Sequence, residues 1–343
     1  MPIPEMFLPE VVNGKPNSLY DIYRDANHIK QRIVDLDYDG KDKDITNQTQ
    51  VLCKLSTVYR DLVQNGADAI SFFGGEYVDG DSPVGNGDPS VGSDGSVEAG
   101  SHTVVHRWVG DPTQPNNEDM GNFYSAGYDP VFYIHHSNVD RMWKLWKELG
   151  IKGHNEPTDP DWLNASYVFY DENEELVRVY NKDCVNIRKL NYDFIENYKE
   201  VFPWRKSRPA RRTKKSQVEP TAPVETVDKI KFLVRLNKIL KVKVKRPAVN
   251  QSEAKKAKAN EVLVKPNEIT TPCDPEYAGA SAQLPHNDMK NMFMGSSALF
   301  GLTELLEDTN TDGDEYATVT LVPRTRCDDL TIRSSWFLSW PKL

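Results

Sequence analysis

Four of the seven histidines in the chain lie within a window of 35 residues, and this clustering is its most chemically informative feature. His102 and His106 are four residues apart, a spacing that places both imidazoles on one helix face, within reach of one metal ion. Alone, a pair at this spacing is more often structural than metal-binding. His135 and His136 open a second helical pattern, and three neutral nitrogens on two rigid helices suit copper. The sequence therefore predicts a copper site.

Two helices are predicted from apolar periodicity, and the second carries His135 and His136. The first is a core helix that ends at Asn65-Gly66, and the second runs from about residue 131 or 134 to Leu149, with Gly150 as its C-terminal stop. Between them, residues 73–101 are rich in Gly, Asp and Ser, which predicts a surface loop leading to the site. Apolar residues at helical spacing form the predicted buried stripes: Val51, Leu55, Val58 and Leu62 in the first helix, and Val139, Met142, Trp143, Trp146 and Leu149 in the second.

Composition excludes several classes of protein. There are 42 Lys and Arg residues against 51 Asp and Glu residues, and the net charge of -9 argues against a protein that mainly binds nucleic acid. No apolar stretch approaches the roughly 20 residues needed to cross a bilayer, so no transmembrane segment is expected. The first residues lack the pattern of a targeting peptide. The four cysteines form no CxxC pair, which argues against zinc or iron–sulfur binding, and they leave three disulfide pairings open.

Composition changes along the second half of the chain. Short apolar segments after residues 161–163 predict strands, and a basic run at 205–215 with prolines behind it predicts a solvated, protease-accessible linker rather than a nucleic-acid contact. Period-two alternation in residues 240–246 and 317–322 then predicts antiparallel β-structure. We therefore divide the chain into residues 1–203, a linker at 204–226 and a C-terminal domain at 227–343.

Three segments around the histidines carry a specific resemblance to a known family. His102-x3-His106, residues 118–130 and residues 132–143, which read Phe-Tyr-Ile-His-His-Ser-Asn-Val-Asp-Arg-Met-Trp, resemble the second copper-binding region of plant polyphenol oxidases, the catechol oxidase and tyrosinase family with type-3 copper. The likeness continues through the Asp-Trp-Leu region at 161–204 and covers nearly the whole chain. Within the family, residues 102–110 look most like the catechol oxidases of the aurone synthase kind.

The resemblance implies a fold and a set of copper ligands. The expected class is an α+β multidomain protein, with part of an α-helical-bundle type-3 copper core followed by an antiparallel β-sandwich C-terminal domain. The second copper site would lie within residues 98–143. His102, His106 and His136 would be its ligands, because the family uses the second histidine of the pair, and His135 would be a neighbour in the pocket.

The resemblance also implies a reaction. Family members oxidise o-diphenols, including flavonoid-type phenolic compounds, to o-quinones with O2, and two copper ions take part. Glu98 matches the acidic residue that holds a water near the coppers, and Phe123 matches the aromatic residue that leans over the substrate. From its spacing alone, Glu98 is equally well an ordinary loop carboxylate.

The resemblance fails at the first copper site of the family. That site has three more histidines upstream, whereas His28 is the only histidine before His102 and looks structural. We therefore expect an N-terminally truncated chain with impaired catechol oxidase activity. The alternative is a non-catalytic mononuclear copper-binding fragment or pseudo-enzyme. A zinc hydrolase ranks behind both, because His-Thr-Val-Val-His lacks the glutamate of His-Glu-x-x-His.

Family likeness suggests a plastid location, in the thylakoid lumen, or a vacuolar one. The sequence leaves the oligomeric state open.

Overall fold

A computed structural model describes residues 2–29, 32–74, 93–114, 116–195, 203–206, 230–235, 239–245, 271–274, 277–282, 295–309, 316–322 and 331–338. The predicted linker at 204–226 lies largely outside these ranges, so the domain boundaries at 203 and 227 stay predictions.

The predicted core helix is present as helix α1 (Asn47–Tyr59), which continues as a π-helix (Arg60–Gln64). The Thr46 side chain caps it by accepting a hydrogen bond from the Thr49 amide. Leu62 is fully buried, but the predicted stripe is wrong at Val51, which is 40% exposed. The buried face of α1 includes the polar side chains of Gln50, Ser56 and Thr57. The helix also contacts the C-terminal region through Cys53 and Tyr59, so apolar periodicity alone does not predict which face is buried.

Helix α4 (Val131–Glu148) confirms the second predicted helix. Met142, Trp146 and Leu149 are buried as predicted. Gly150 follows with φ +64°, a left-handed conformation that favours glycine and ends the helix. The other helices of the described residues are short: α2 (Ala69–Phe73), α3 (Thr103–Val109), α5 (Pro160–Asn164), α6 (Asn181–Cys184) and α7 (Thr303–Thr309).

The predicted loop over residues 73–101 is wrong at its C-terminal end. Residues 75–92 lie outside the described ranges, but Ser93–Asp94 forms a short strand, and a π-helix (Glu98–His102) leads directly into α3. Val97 and Ala99 are buried in this segment. Burial of these two apolar side chains accounts for ordered structure in a stretch whose composition favours turns.

Ten strands are present in the described part of the chain. In chain order they are β1 (Val11–Val12), β2 (Lys15–Pro16), β3 (Ser93–Asp94), β4 (Ser166–Tyr170), β5 (Leu176–Tyr180), β6 (Ile230–Arg235), β7 (Ile239–Lys245), β8 (Gly295–Gly301), β9 (Tyr316–Leu321) and β10 (Thr331–Leu338).

The strands form four small sheets. Strands β1 and β2, β4 and β5, and β6 and β9 pair antiparallel, and a four-stranded sheet has the order β10-β7-β8-β3. Within it, β7 is antiparallel to both β10 and β8, whereas β3 runs parallel to β8. The antiparallel strands predicted near residues 240–246 and 317–322 are thus confirmed; their assembly into a β-sandwich stays a prediction.

Two hydrophobic clusters hold the histidine-bearing helices. The first contains Val104 and Trp108 of α3 together with Val131 at the start of α4. The second contains Met142 and Trp146 from the other end of α4. Because α4 is packed at both ends, its first turns have a fixed position relative to α3.

No helix among the described residues is long and apolar enough to span a membrane.

Candidate metal centre

Three histidine side chains converge between α3 and α4. His102 ends the π-helix that precedes α3, His106 lies one turn later, and His136 projects from the second turn of α4. Their Nε2 atoms are 3.2 Å apart between His102 and His106, 3.2 Å between His106 and His136, and 3.3 Å between His102 and His136. The structure therefore brings together all three residues predicted as copper ligands.

This nitrogen triangle fits one metal ion. An ion about 2 Å from each nitrogen, the usual metal–imidazole distance, can be in contact with all three corners. A second possible ligand set consists of His102, His106 and His135, whose candidate ligand nitrogens all lie within 4.8 Å of one another. The Nε2 atom of His135, however, lies 3.0 Å from the His102 carbonyl oxygen and must donate a proton to it. The triangle with His136 is the tighter of the two groupings, and the choice of His136 rather than His135 as a ligand stays a prediction.

Hydrogen bonds orient the converging rings. The Nδ1 atom of His106 is 2.8 Å from the carbonyl oxygen of Met120. Because a carbonyl only accepts, Nδ1 carries the proton and the Nε2 lone pair faces the centre. His136 is held differently, since its ring stacks on Phe132 with centroids 4.0 Å apart. These contacts set the tautomer of His106 and the orientation of the His106 and His136 rings.

Burial keeps the histidines neutral. Desolvation, together with the charges of His106 and His136, lowers the pKa of His102 to about 3. Desolvation lowers the pKa of His106 to about 4 and that of His135 to about 2, and it also lowers the pKa of His136. At neutral pH the imidazole lone pairs are therefore free to bind a metal ion.

The two residues predicted to take part in catalysis lie near the centre along the chain. Glu98 is the first residue of the π-helix that ends at His102. Its side chain reaches solvent, yet the surrounding protein partly desolvates it and, with the charge of Asp94, raises the pKa of its carboxyl. Phe123 lies in the segment between α3 and α4 and is 52% exposed. Their catalytic roles stay predictions.

A cavity of about 250 Å³ lies beside the histidines. His102 and His135 line one side, and apolar residues such as Val105, Val139 and Met142 line much of the rest. An apolar cavity with imidazoles at its wall can receive an aromatic molecule.

Two side-chain contacts near the histidines were not predicted from the sequence. Phe132, which stacks on His136, lies four residues before it on the same helix face, so the i, i+4 rule alone could have found it. The Tyr192 hydroxyl donates to Asp140 at 2.6 Å, a contact between segments 52 residues apart that local spacing cannot reveal.

Two further histidines among the described residues have structural contacts. His28 is 1% exposed, stacks on Trp108 at 4.3 Å and places Nε2 2.9 Å from Asp42, in agreement with its predicted structural role. His154 is buried against Trp146, whose ring centroid is 4.4 Å away.

Comparison with known proteins agrees with this geometry. Residues 12–149 match the common central domain of tyrosinase, so the chain is a tyrosinase-type copper protein. Residues 156–210 match the polyphenol oxidase middle domain, and residues 264–335 match the chloroplastic polyphenol oxidase C-terminal domain. The chain belongs to the plant polyphenol oxidase family.

Individual relatives support the same assignment. A chloroplastic polyphenol oxidase of Malus domestica is 38% identical over 93% of this chain, and the chain spans 58% of the length of that relative. The structure of a latent aurone synthase from its natural source is 66% identical, with a TM-score of 0.77, and the match covers 98% of this chain and 68% of the other. A structure of active aurone synthase, described with its copper B, is 77% identical with a TM-score of 0.52, and covers 57% of this chain and 55% of the other.

Proposed function

We propose that this chain holds a copper ion through His102, His106 and His136 and belongs to an enzyme that oxidises o-diphenols to o-quinones with O2. The family is one of copper-dependent oxidases of phenols. The observation that carries the proposal for this chain is the triangle of Nε2 atoms with edges of 3.2–3.3 Å. Its three nitrogens come from two packed helices, are neutral at physiological pH and point at one position.

The residues around the triangle would bind and orient the reactants. Bound copper supplies one-electron redox chemistry with O2, and a diphenol that leaves as a quinone gives up two electrons and two protons, which takes two such ions. Glu98, with its raised pKa, is suited to accept a phenolic proton through a held water. The exposed ring of Phe123 offers an aromatic face to a phenol.

A second candidate function is non-catalytic binding of a single copper ion. One convergent histidine triangle is present among the described residues, and His28 and His154 are engaged in structural contacts there. A second copper would therefore need ligands beyond the described residues.

Copper stoichiometry and quinone formation separate the two candidates. The purified chain is loaded with copper, the bound metal is counted, and quinone absorbance is followed after addition of 4-methylcatechol. Two coppers per chain with quinone formation support the oxidase, whereas one copper without quinone supports the mononuclear binder. His136→Ala should remove copper binding and His135→Ala should retain it; copper binding that survives His136→Ala contradicts the proposed ligand set.

Location and processing are further proposals. The polyphenol oxidase of Malus domestica is named chloroplastic, which supports a plastid location, and the thylakoid lumen or a vacuole are the finer alternatives. We also propose residues 204–226 as the site where proteolysis separates the copper core from the C-terminal region. The latent aurone synthase matches 98% of this chain and the active form 57%, which is consistent with such a step.

A further inference from the structure

A buried carboxylate lies directly behind the turn that carries His102. Asp61 belongs to the π-helix that extends α1 and is 5% exposed. One of its carboxylate oxygens accepts a hydrogen bond from the Ser101 amide at 3.1 Å, and its main-chain carbonyl accepts one from the Ser96 hydroxyl at 2.7 Å. Both ends of the segment 96–101 are thus bound to one residue.

The turn itself is shaped to receive this carboxylate. Gly100 adopts φ -95° and ψ -119°, which is not helical, between Glu98 and His102. A Cβ atom at this position would lie 2.8 Å and 2.9 Å from the two carboxylate oxygens of Asp61. Only glycine lets the backbone approach a buried carboxylate this closely, and this approach orients the Ser101 amide toward it.

The guanidinium next to Asp61 in the chain makes its hydrogen bonds with other groups. The guanidinium of Arg60 donates to the Gln64 side chain and to the carbonyl oxygens of Pro272 and Asp274, at 2.8–3.4 Å. Arg60 acts on Asp61 through its positive charge, which partly offsets the effect of burial on the pKa of the Asp61 carboxyl. The hydrogen-bonding capacity of the Asp61 carboxylate is therefore directed to the residue that precedes His102.

We propose that Asp61 is a positioning residue for His102: by binding the Ser101 amide it fixes the backbone from which the imidazole reaches the metal. This inference rests on the proposed function, in which His102 is a copper ligand. Groups that hold a metal ligand in place typically change metal affinity by about 10–100-fold when they are removed. Asp61 does not itself touch the metal.

Three variants test the role. Asp61→Ala removes the acceptor and should weaken copper binding by about 10–100-fold. Asp61→Asn keeps an amide oxygen that can accept from Ser101 and should recover most of that affinity. Gly100→Ala places a methyl group against the carboxylate and should reproduce the loss without touching Asp61. The matched control is Asp37→Ala, since Asp37 is also 5% exposed and binds Tyr277 and Lys43 rather than the turn.

Copper affinity is measured by competition with a chelator, and the Cu(II) spectrum is recorded by electron paramagnetic resonance. Weaker copper binding and a changed spectrum in Asp61→Ala and Gly100→Ala, with parental affinity in Asp37→Ala, support the positioning role. Parental copper affinity in both Asp61→Ala and Gly100→Ala overturns the positioning role. An equal loss in the Asp37→Ala control also overturns it, because general destabilisation then explains the effect.

Hydrogen exchange of the metal-free chain provides a readout that is independent of copper. Asp61→Ala should speed the exchange of the amides in residues 96–102 and leave those of α4 unchanged. If the parent chain binds no copper, the proposed function fails, but this exchange comparison still decides whether Asp61 holds the turn. Unchanged exchange in residues 96–102 refutes the inference, even if the parent binds copper.

Discussion

The buried ion pair between Arg24 and Asp129 anchors the start of the helix that carries His136, and its loss should be costly. The guanidinium and the carboxylate make two bonds of 2.9 Å and 2.7 Å, and their side chains are 2% and 0% exposed. Arg24 also donates to the carbonyl oxygens of Phe7 and Leu19, while Asp129 accepts from the Val131 amide at the first turn of α4.

Replacing Arg24 by methionine keeps much of the side-chain volume but leaves the buried Asp129 carboxylate without its positive partner and two carbonyls without their guanidinium donors. Removal of one partner from a buried pair costs about 3–5 kcal/mol, so Arg24→Met should lower the free energy of unfolding by about that amount. The matched control is Lys144→Met, which breaks the partly exposed pairs with Glu148 (2.9 Å) and Asp193 (3.7 Å) and should cost about 1 kcal/mol or less.

Urea unfolding of the metal-free chain, followed by tryptophan fluorescence, measures both changes. The double variant Arg24→Met with Asp129→Asn should be more stable than Arg24→Met alone, because it leaves no buried charge unpaired. A cost below about 1 kcal/mol for Arg24→Met, or a double variant less stable than the single one, would refute this account of the ion pair.

Three other predictions follow from single features. The Sγ atoms of Cys53 and Cys273 are 3.3 Å apart, so treatment with a thiol oxidant should link them, and non-reducing peptide mapping that shows another pairing contradicts this. Burial raises the pKa of Asp61 to about 7. Between about pH 4 and pH 7 the folded state therefore binds more protons than the unfolded state. The free energy of unfolding should fall as pH rises through this window. Urea unfolding at pH 5 and pH 8 should show a smaller fall for Asp61→Asn, and an equal fall in both proteins would be inconsistent with that shift. Limited trypsin digestion should cut first within residues 204–226, and initial cuts elsewhere argue against a linker there.

Local patterns predicted that His102 and His106 lie close together, because their spacing matches one helical turn. His102 and His106 are one turn apart, and the apolar stripe of α4 correctly placed Met142 and Trp146 in the core. The choice of His136 over His135 came from family likeness, and periodicity alone could not have made it. The structure adds an argument for it, because the Nε2 atom of His135 is engaged with the His102 carbonyl oxygen.

Features that depend on contacts between distant segments could not be predicted. Asp61 reads as a polar residue near the end of a helix, and nothing within ten residues shows that it binds Ser101, forty positions later. The exposed position of Val51 has the same origin, since the buried face of α1 depends partly on contacts of Cys53 with Cys273 and of Tyr59 with Glu304. Side chains that contact distant segments need not follow the apolar periodicity of their own helix, so local sequence patterns do not predict these contacts.

The ligand set is tested most directly by X-ray absorption spectroscopy of the copper-loaded chain at the copper edge. The structure predicts three imidazole nitrogens at about 2 Å in the parent chain and in His135→Ala, and fewer in His136→Ala. Three imidazoles that persist in His136→Ala but not in His135→Ala would contradict the assignment of His102, His106 and His136 as the copper ligands.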